Sequence, residues 1–241
     1  MSKNKEITVI VSSRKSGEEN EEFINQLKDT CGTPAKVIYI LNDGAMGLSE
    51  LYANMIANPS IESEIVILLH DDIEPLRNGW GKEIVKLFNK NKEYGIIGVA
   101  GSAEFDEEGA WWRYKNIYGQ VLHKSGGKSW LSAFSPLLEN DLEEVCVIDG
   151  LFMAINRKRI SKNFDDKLKG FNFYDIDFCL ANYIDGKCKI GVTTNIRLAH
   201  KSVGELSDNW YENRDIIREK YGKYFPIKIA KNKKMKILND M

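Results

Sequence analysis

Hydrophobic positions in the first hundred residues follow two periods. Ile7–Ser13 (ITVIVSS), Lys36–Leu41 (KVIYIL), 64–69 (EIVILL) and 95–101 (GIIGVAG) are short, near-continuous apolar runs rich in β-branched residues. Runs of that kind mark strands covered on both faces. Between them the apolar residues fall at helical spacing: Phe23, Ile24 and Leu27 within 18–29, Leu48, Leu51, Tyr52 and Met55 within 47–58, and the segment WGKEIVKLFNKN at 80–91. Strands alternating with helices predict a doubly wound α/β arrangement on a parallel sheet. Ligands of such sheets bind beyond the carboxyl ends of the strands.

The pattern loosens after residue 105. Residues 108–130 (EGAWWRYKNIYGQVLHKSGGKSW) are rich in Trp, Tyr and Gly and predict an irregular loop or hairpin excursion. Strand-like runs resume on either side of Asp149-Gly150 and again at 188–193 and 195–200, with helices expected over 175–185 and 209–222. No linker or internal repeat divides the chain. One domain over 1–225 is expected, with a nucleotide-binding half at about 1–105, an acceptor half at about 106–225, and a basic tail at 226–241.

Composition narrows the classes. The 241 residues are 43% hydrophobic and 10% aromatic, as in ordinary globular proteins. A net charge of −1 gives no overall field favouring nucleic acid, and no apolar run approaches the length of a membrane span. The N-terminus reads as a first strand rather than a signal peptide. Cys31, Cys146, Cys179 and Cys188 have no CxxC spacing and point to reduced thiols in the cytoplasm, three of them in apolar or periodic segments. The basic tail is a candidate for peripheral contact with anionic lipid, the alternative being a solvated end.

Candidate chemistry begins where the third strand ends, at His70-Asp71-Asp72. Adjacent carboxylates repel and are costly to bury unpaired, so the pair either holds a divalent cation or forms a solvated, helix-capping turn. Asp175 and Asp177 open a helix and, at about 100° per residue, point roughly 200° apart. One is expected to be structural and the other to face the crevice, ionised at neutral pH as a general base must be. His200 ends a strand; an imidazole there suits Mn²⁺ better than Mg²⁺, or is simply structural. Asp149 in an apolar stretch needs a partner, and Gly150 beside it suggests a bulge or a close approach. Trp111 and Trp112 either stack on a sugar or belong to the core. His70 and His123 are expected to be hydrogen-bonding residues without a metal role. No GxGxxG, GxxxxGK[ST] or GxSxG motif is present.

In order, ITVIVSS, GLSELYANMI, VILLHDDIEP, GIIGVAG, VIDGLFMAINRKRI, FYDIDFCLANYIDGKCKIGV and IRLAHKSVG resemble a family 2-like inverting glycosyltransferase, over Ile7 to Gly204. The nearest resemblance is to a small bacterial branch with HDD in place of DxD. It implies a GT-A (nucleotide-diphospho-sugar transferase) fold, with a mostly parallel central sheet and helices on both faces. It also implies a nucleotide-sugar donor, commonly a UDP-sugar, with Mn²⁺ or Mg²⁺. The acceptor would be carbohydrate, lipid-linked or protein-linked, in surface polysaccharide or glycoconjugate synthesis. By resemblance Asp72 and His200 bind the metal, Asp71 faces the ribose or sugar, and Asp175 is the general base. Ser12, Ser13, Arg14, Asn42 and Asp43 hold the nucleoside, while Trp111, Trp112, Asp149, Gly150 and Tyr174 line the acceptor or sugar pocket. His70 stands where DxD has its first Asp, and Tyr174 where the family's Glu-Asp pair has Glu. A sugar nucleotidyltransferase or a non-catalytic sugar-nucleotide-binding module is the alternative on the same layout.

Overall fold

The computed structural model describes residues 6–134, 140–202 and 208–229. The expected basic tail, from residue 230 on, and Gly204 lie outside the described residues. In chain order the first half contains β1 (Ile7–Ser13), α1 (Glu21–Cys31), β2 (Ala35–Leu41), α2 (Leu48–Ala57), β3 (Ile65–His70), β4 (Ile73–Pro75), α3 (Trp80–Lys90), β5 (Tyr94–Gly98), β6 (Ala100–Ser102) and β7 (Glu104–Phe105). The second half contains β8 (Ile117–Ser125), β9 (Lys128–Ala133), β10 (Glu143–Val145), β11 (Val147–Ile148), β12 (Phe152–Asn156), α4 (Tyr174–Asp185), β13 (Lys189–Val192), β14 (Leu198–His200), α5 (Asp208–Tyr221) and β15 (Ile227–Lys228).

The central sheet has the order β10-β13-β5-β12-β3-β1-β2. β1 pairs in parallel with β2 and β3, and β13 with β5, whereas β12 runs antiparallel to both β3 and β5, and β10 to β13. Every residue of β5 and β12, and all of β3 except His70, is buried. Successive side chains alternate faces, so both faces of this sheet are covered, as the unbroken apolar runs require. α1 packs beside α3, and α4 lies against β11 and β13.

A second sheet, β11-β6-β8-β14-β4 with β9 on β8, takes the chain back across the carboxyl end of β3. The apolar run GIIGVAG divides between the two sheets at Val99, as β5 and β6. The Trp- and Tyr-rich excursion resolves into a single turn of 3₁₀ helix (Trp111–Arg113) and the β8–β9 hairpin. Gly126 and Gly127 close that hairpin at φ 58° and 73°, the two left-handed residues that a tight two-residue turn demands. β15 pairs with β7, so the paired structure continues to Lys228.

Two arginines after β12 fix the helix ends behind the site. Arg157 donates to the carbonyls of Ile56 and Asn58, and Arg159 to those of Phe88, Asn91 and Tyr94. They satisfy C-terminal carbonyls of α2 and α3 and place cations at the negative ends of the helix dipoles. All four cysteines are buried free thiols, one more than the periodicity indicated. No helix among the described residues is long and apolar enough to cross a membrane.

Candidate active site

β1 and β3 lie side by side, with Ser12 opposite His70, so both strand ends open on one crevice. Asp71 and Asp72 follow directly. Ser13 Oγ donates to Asp71 Oδ2 at 2.5 Å and accepts from the Lys15 backbone N–H at 3.1 Å, which ties the β1 loop to the acidic turn.

His200 reaches Asp72 through the second sheet. β4 starts at Ile73, and β14 pairs antiparallel to it with His200 opposite Ile73. The Lys201 backbone N–H donates to the Asp72 carbonyl at 3.0 Å. This register leaves His200 Nε2 3.3 Å from Asp72 Oδ2, with Ser202 Oγ 3.1 Å from the same nitrogen. Burial alone would raise the Asp72 carboxyl, but hydrogen bonds from His200 and Ser202 and the nearby imidazoles outweigh it and hold it down at about 2. For His200 burial works against the charged form, and the Asp72 hydrogen bond and charge overcome it, so its proton is held more tightly than usual.

His70 joins this pair. Ligand atoms of His70, Asp72 and His200 all lie within 4.8 Å of one another. Asp72 Oδ1 is buried and has no hydrogen-bond partner among the described residues. An orphaned carboxylate oxygen beside two imidazoles is a donor set that can hold a first-row divalent cation, and Mn²⁺ accepts nitrogen ligands more readily than Mg²⁺ does, so the residues fit one. The sequence alone predicts a hydrogen-bonding role for His70, and the only local signal for more is its position next to the acidic pair at a strand end. Burial outweighs the surrounding charges and holds His70 below its ordinary value, which favours the neutral imidazole that binding a cation would require.

Across the crevice α4 delivers Tyr174 and Asp175. Phe173, immediately before, sits at φ 65°, a left-handed conformation that is strained for an aromatic residue and sharply turns the chain into the helix. Gly150 lets α4 come close: a Cβ there would lie 2.1 Å from Tyr174 Oη. The close approach suggested by that glycine is therefore α4 itself. Asp175 Oδ2 accepts from the Gly150 backbone N–H at 2.7 Å, and Oδ1 from its neighbour Ile176 at 2.9 Å. Burial, then the Asp149 carboxylate, pushes Asp175 up to about 7, against these backbone hydrogen bonds. The expectation of a fully ionised carboxylate at neutral pH is thus corrected: the group is poised between its two forms, because desolvation outweighs the donors that face it. Asp177 takes the structural role. Buried, it pairs with Lys220 at 2.7 Å and accepts from Tyr221 Oη at 2.9 Å, locking α4 to α5.

His70, His200, Asp149, Gly150, Tyr174 and Asp175 line one cavity of about 560 Å³. Its far wall is aromatic: Trp111, Trp112, Phe134, Phe171, Phe173 and Trp210. Trp111 is buried against Phe134, while Trp112 is 39% exposed and lies edge-on to Trp111 and near Trp210. His123 also lines the cavity, stacked on Trp130 and 5.9 Å from the His200 ring. Phe171, Phe173, Trp210 and His123 were not foreseen, because nothing local in their segments distinguishes them from core residues. Ser12, Ser13, Arg14, Asn42, Asp43, Asp71 and Asp72 do not line this cavity; the Ser13 hydroxyl donates to Asp71, which adjoins the cavity-lining His70 in the chain. The Asn42 side chain closes its own loop, bonding to Met46 through both its oxygen and its nitrogen. Asp43 is exposed, and the Arg14 guanidinium lies over the Phe171 ring at 5.5 Å.

The profile of a glycosyltransferase-like family matches residues 7–221. The chain belongs to that glycosyltransferase-like family. Among solved structures, it is similar to GalNAc-T7, crystallised with UDP, GalNAc and Mn²⁺, with a TM-score of 0.54 and 11% identity. The match covers 93% of this chain and 50% of that transferase, so the chain spans about half its length. At that identity the likeness establishes the fold alone: a mixed α/β arrangement of the GT-A type. A197 from STIV is a more distant match, at a TM-score of 0.45 and 9% identity over 82% of this chain and 86% of that one. No curated protein matches the chain.

Proposed function

We propose that the protein is an inverting glycosyltransferase that moves a hexosyl or N-acetylhexosaminyl group from a nucleotide-diphosphate sugar, with UDP-sugars the favoured class, to an acceptor hydroxyl. The observation that carries this reading is that one aromatic-walled cavity is lined by Asp175 and by His70 and His200, the two imidazoles that share a possible metal cluster with Asp72. GalNAc-T7, which shares the fold, was crystallised with a nucleotide, a sugar and a cation of the classes proposed here.

Asp72, His200 and His70 would hold Mn²⁺ or Mg²⁺. When bound, the cation supplies Lewis-acid stabilisation to the charge that develops on the departing diphosphate. Asp71, fixed by Ser13, would face the donor ribose or sugar, and the loops carrying Ser12, Arg14, Asn42 and Asp43 would flank the nucleoside. Asp175 accepts the acceptor's proton on a carboxylate oxygen as that hydroxyl attacks the anomeric carbon. A base poised near 7 is matched to a cellular pH, because it is largely free to accept a proton and still binds it well. One displacement from the face opposite the leaving group inverts the anomeric centre. Trp112 and its aromatic neighbours would stack on the sugar rings, and Asp149 would hydrogen-bond their hydroxyls.

A thermal-shift panel of UDP-, GDP- and CDP-sugars, with and without MnCl₂, tests the donor and the metal together, since a ligand of the native state raises its stability by mass action. A Mn²⁺-dependent rise with a UDP-sugar, followed by UDP release when an acceptor is added, supports the proposal. The absence of a shift with every nucleotide sugar would overturn it.

A further inference from the structure

His70 and Tyr174, the two positions at which the chain departs from the pattern of the glycosyltransferases it resembles, meet in space. His70 Nε2 and Tyr174 Oη are 2.9 Å apart. The tyrosine ring is buried and packed between Tyr52, at 5.4 Å, and Phe164, at 6.4 Å, so its hydroxyl has little freedom to leave. Gly150 is what lets the hydroxyl reach this place, since any side chain there would occupy it.

We propose that Tyr174 is a positioning residue: its hydroxyl accepts the His70 Nε2 proton, fixes the ring and tautomer, and leaves Nδ1 as the nitrogen for a divalent cation, so that two imidazoles and one carboxylate select Mn²⁺ over Mg²⁺. The inference rests on the metal-dependent reading of the same site. A ring nitrogen held by a hydroxyl is not free for a metal, and the partner of one nitrogen determines which face of the imidazole ligates. Imidazole is a good ligand for the softer first-row divalent ions and a poor one for Mg²⁺, which prefers oxygen. An aspartate at position 70 would have given a harder, more negative site. Histidine there, with tyrosine in place of a second acid at 174, withdraws one carboxylate from the metal cluster and one from beside Asp175. The two departures thus form a single unit.

The test is Mn²⁺ binding without nucleotide, read from the EPR signal of free Mn²⁺, with Mg²⁺ affinity measured by competition. Four forms are compared: wild type, Tyr174→Phe, His70→Ala and the double variant. Tyr174→Phe should weaken Mn²⁺ binding by about tenfold, within the range for lost outer-shell partners. The same change made on His70→Ala should have no further effect. An unchanged or tighter affinity in Tyr174→Phe overturns the proposal, and so does an equal loss in the His70→Ala background. Metal-free thermal melting accompanies each variant. Should Tyr174→Phe fold poorly, His70→Asp, which leaves Tyr174 in place, carries the test. It should lower the Mn²⁺ over Mg²⁺ preference at least tenfold, and an unaltered preference overturns the selectivity. Wild type that binds no Mn²⁺ defeats the metal-dependent reading itself, whereas wild type that binds with Tyr174→Phe unaffected defeats only the role of Tyr174.

Discussion

Replacing Asp175 by Asn should change the pH dependence of stability as well as abolish transfer. Asp175 is raised from the ordinary 3.8 to about 7, first by burial and then by Asp149. A raised carboxyl means that the folded state holds this proton more tightly than the unfolded chain does. Its contribution to stability is therefore complete below about pH 4 and is lost as pH climbs through about 7. At about 1.4 kcal/mol per tenfold change in proton affinity, the ceiling on that loss is roughly 4 kcal/mol. Asp175 keeps partial solvent contact, so on the order of 2 kcal/mol between pH 5 and pH 8 is the expected figure. Asparagine does not titrate and brings a single acceptor oxygen to the two N–H groups of Gly150 and Ile176 that the carboxylate serves. The variant should consequently be less stable than wild type by about 1 kcal/mol at pH 5, where one donor goes unmet. At pH 8 it should be equal or more stable. Urea unfolding of both proteins at the two pH values, followed by tryptophan fluorescence, measures the crossing. Stability curves that stay parallel from pH 5 to pH 8 would refute the buried-acid account. In wild type, transfer should rise with pH and level off above about 7, and donor affinity in Asp175→Asn should stay within a few-fold.

The remaining predictions concern other parts of the same arrangement. Gly150→Ala forces a methyl group into the space of Tyr174 Oη; melting should reveal a loss of about 2 kcal/mol, in the range of overpacking, together with lost transfer. Asp72→Ala removes the carboxylate of the candidate metal cluster, so the thermal shift that Mn²⁺ produces in wild type should vanish while the metal-free protein still melts cooperatively. Lys220→Met strands the buried Asp177 carboxylate without its cation; chemical denaturation should show a cost of roughly 3 kcal/mol, as for other broken buried pairs.

The extent to which the sequence disclosed this protein follows from the range over which each physical signal acts. Hydrophobic period is local: it reports whether successive side chains of one segment are buried. It was enough to locate β1, β2, β3 and the helices between them, and to place Asp71-Asp72 at a strand's carboxyl end. The opposed directions of Asp175 and Asp177 were likewise legible, because helix geometry alone separates them. Gly150 signalled that something approaches closely without saying what.

Pairing between distant segments decided the rest. His200 stands beside Asp72 only because β14 pairs with β4 in one particular register, and a shift by one residue would turn its imidazole to the other face. Likewise, the meeting of His70 with Tyr174 and the aromatic wall shared by Trp112, Phe134 and Trp210 join segments whose own patterns carry no mark of the others. The proton affinity of Asp175 belongs to the same class, since it is set by how much water the assembled walls exclude and by the nearness of Asp149. Composition and period thus determined which residues would be buried and which strand end would carry the acids. Only the assembled sheets determined which charges face one another, because desolvation and Coulomb interaction depend on distance in space rather than along the chain.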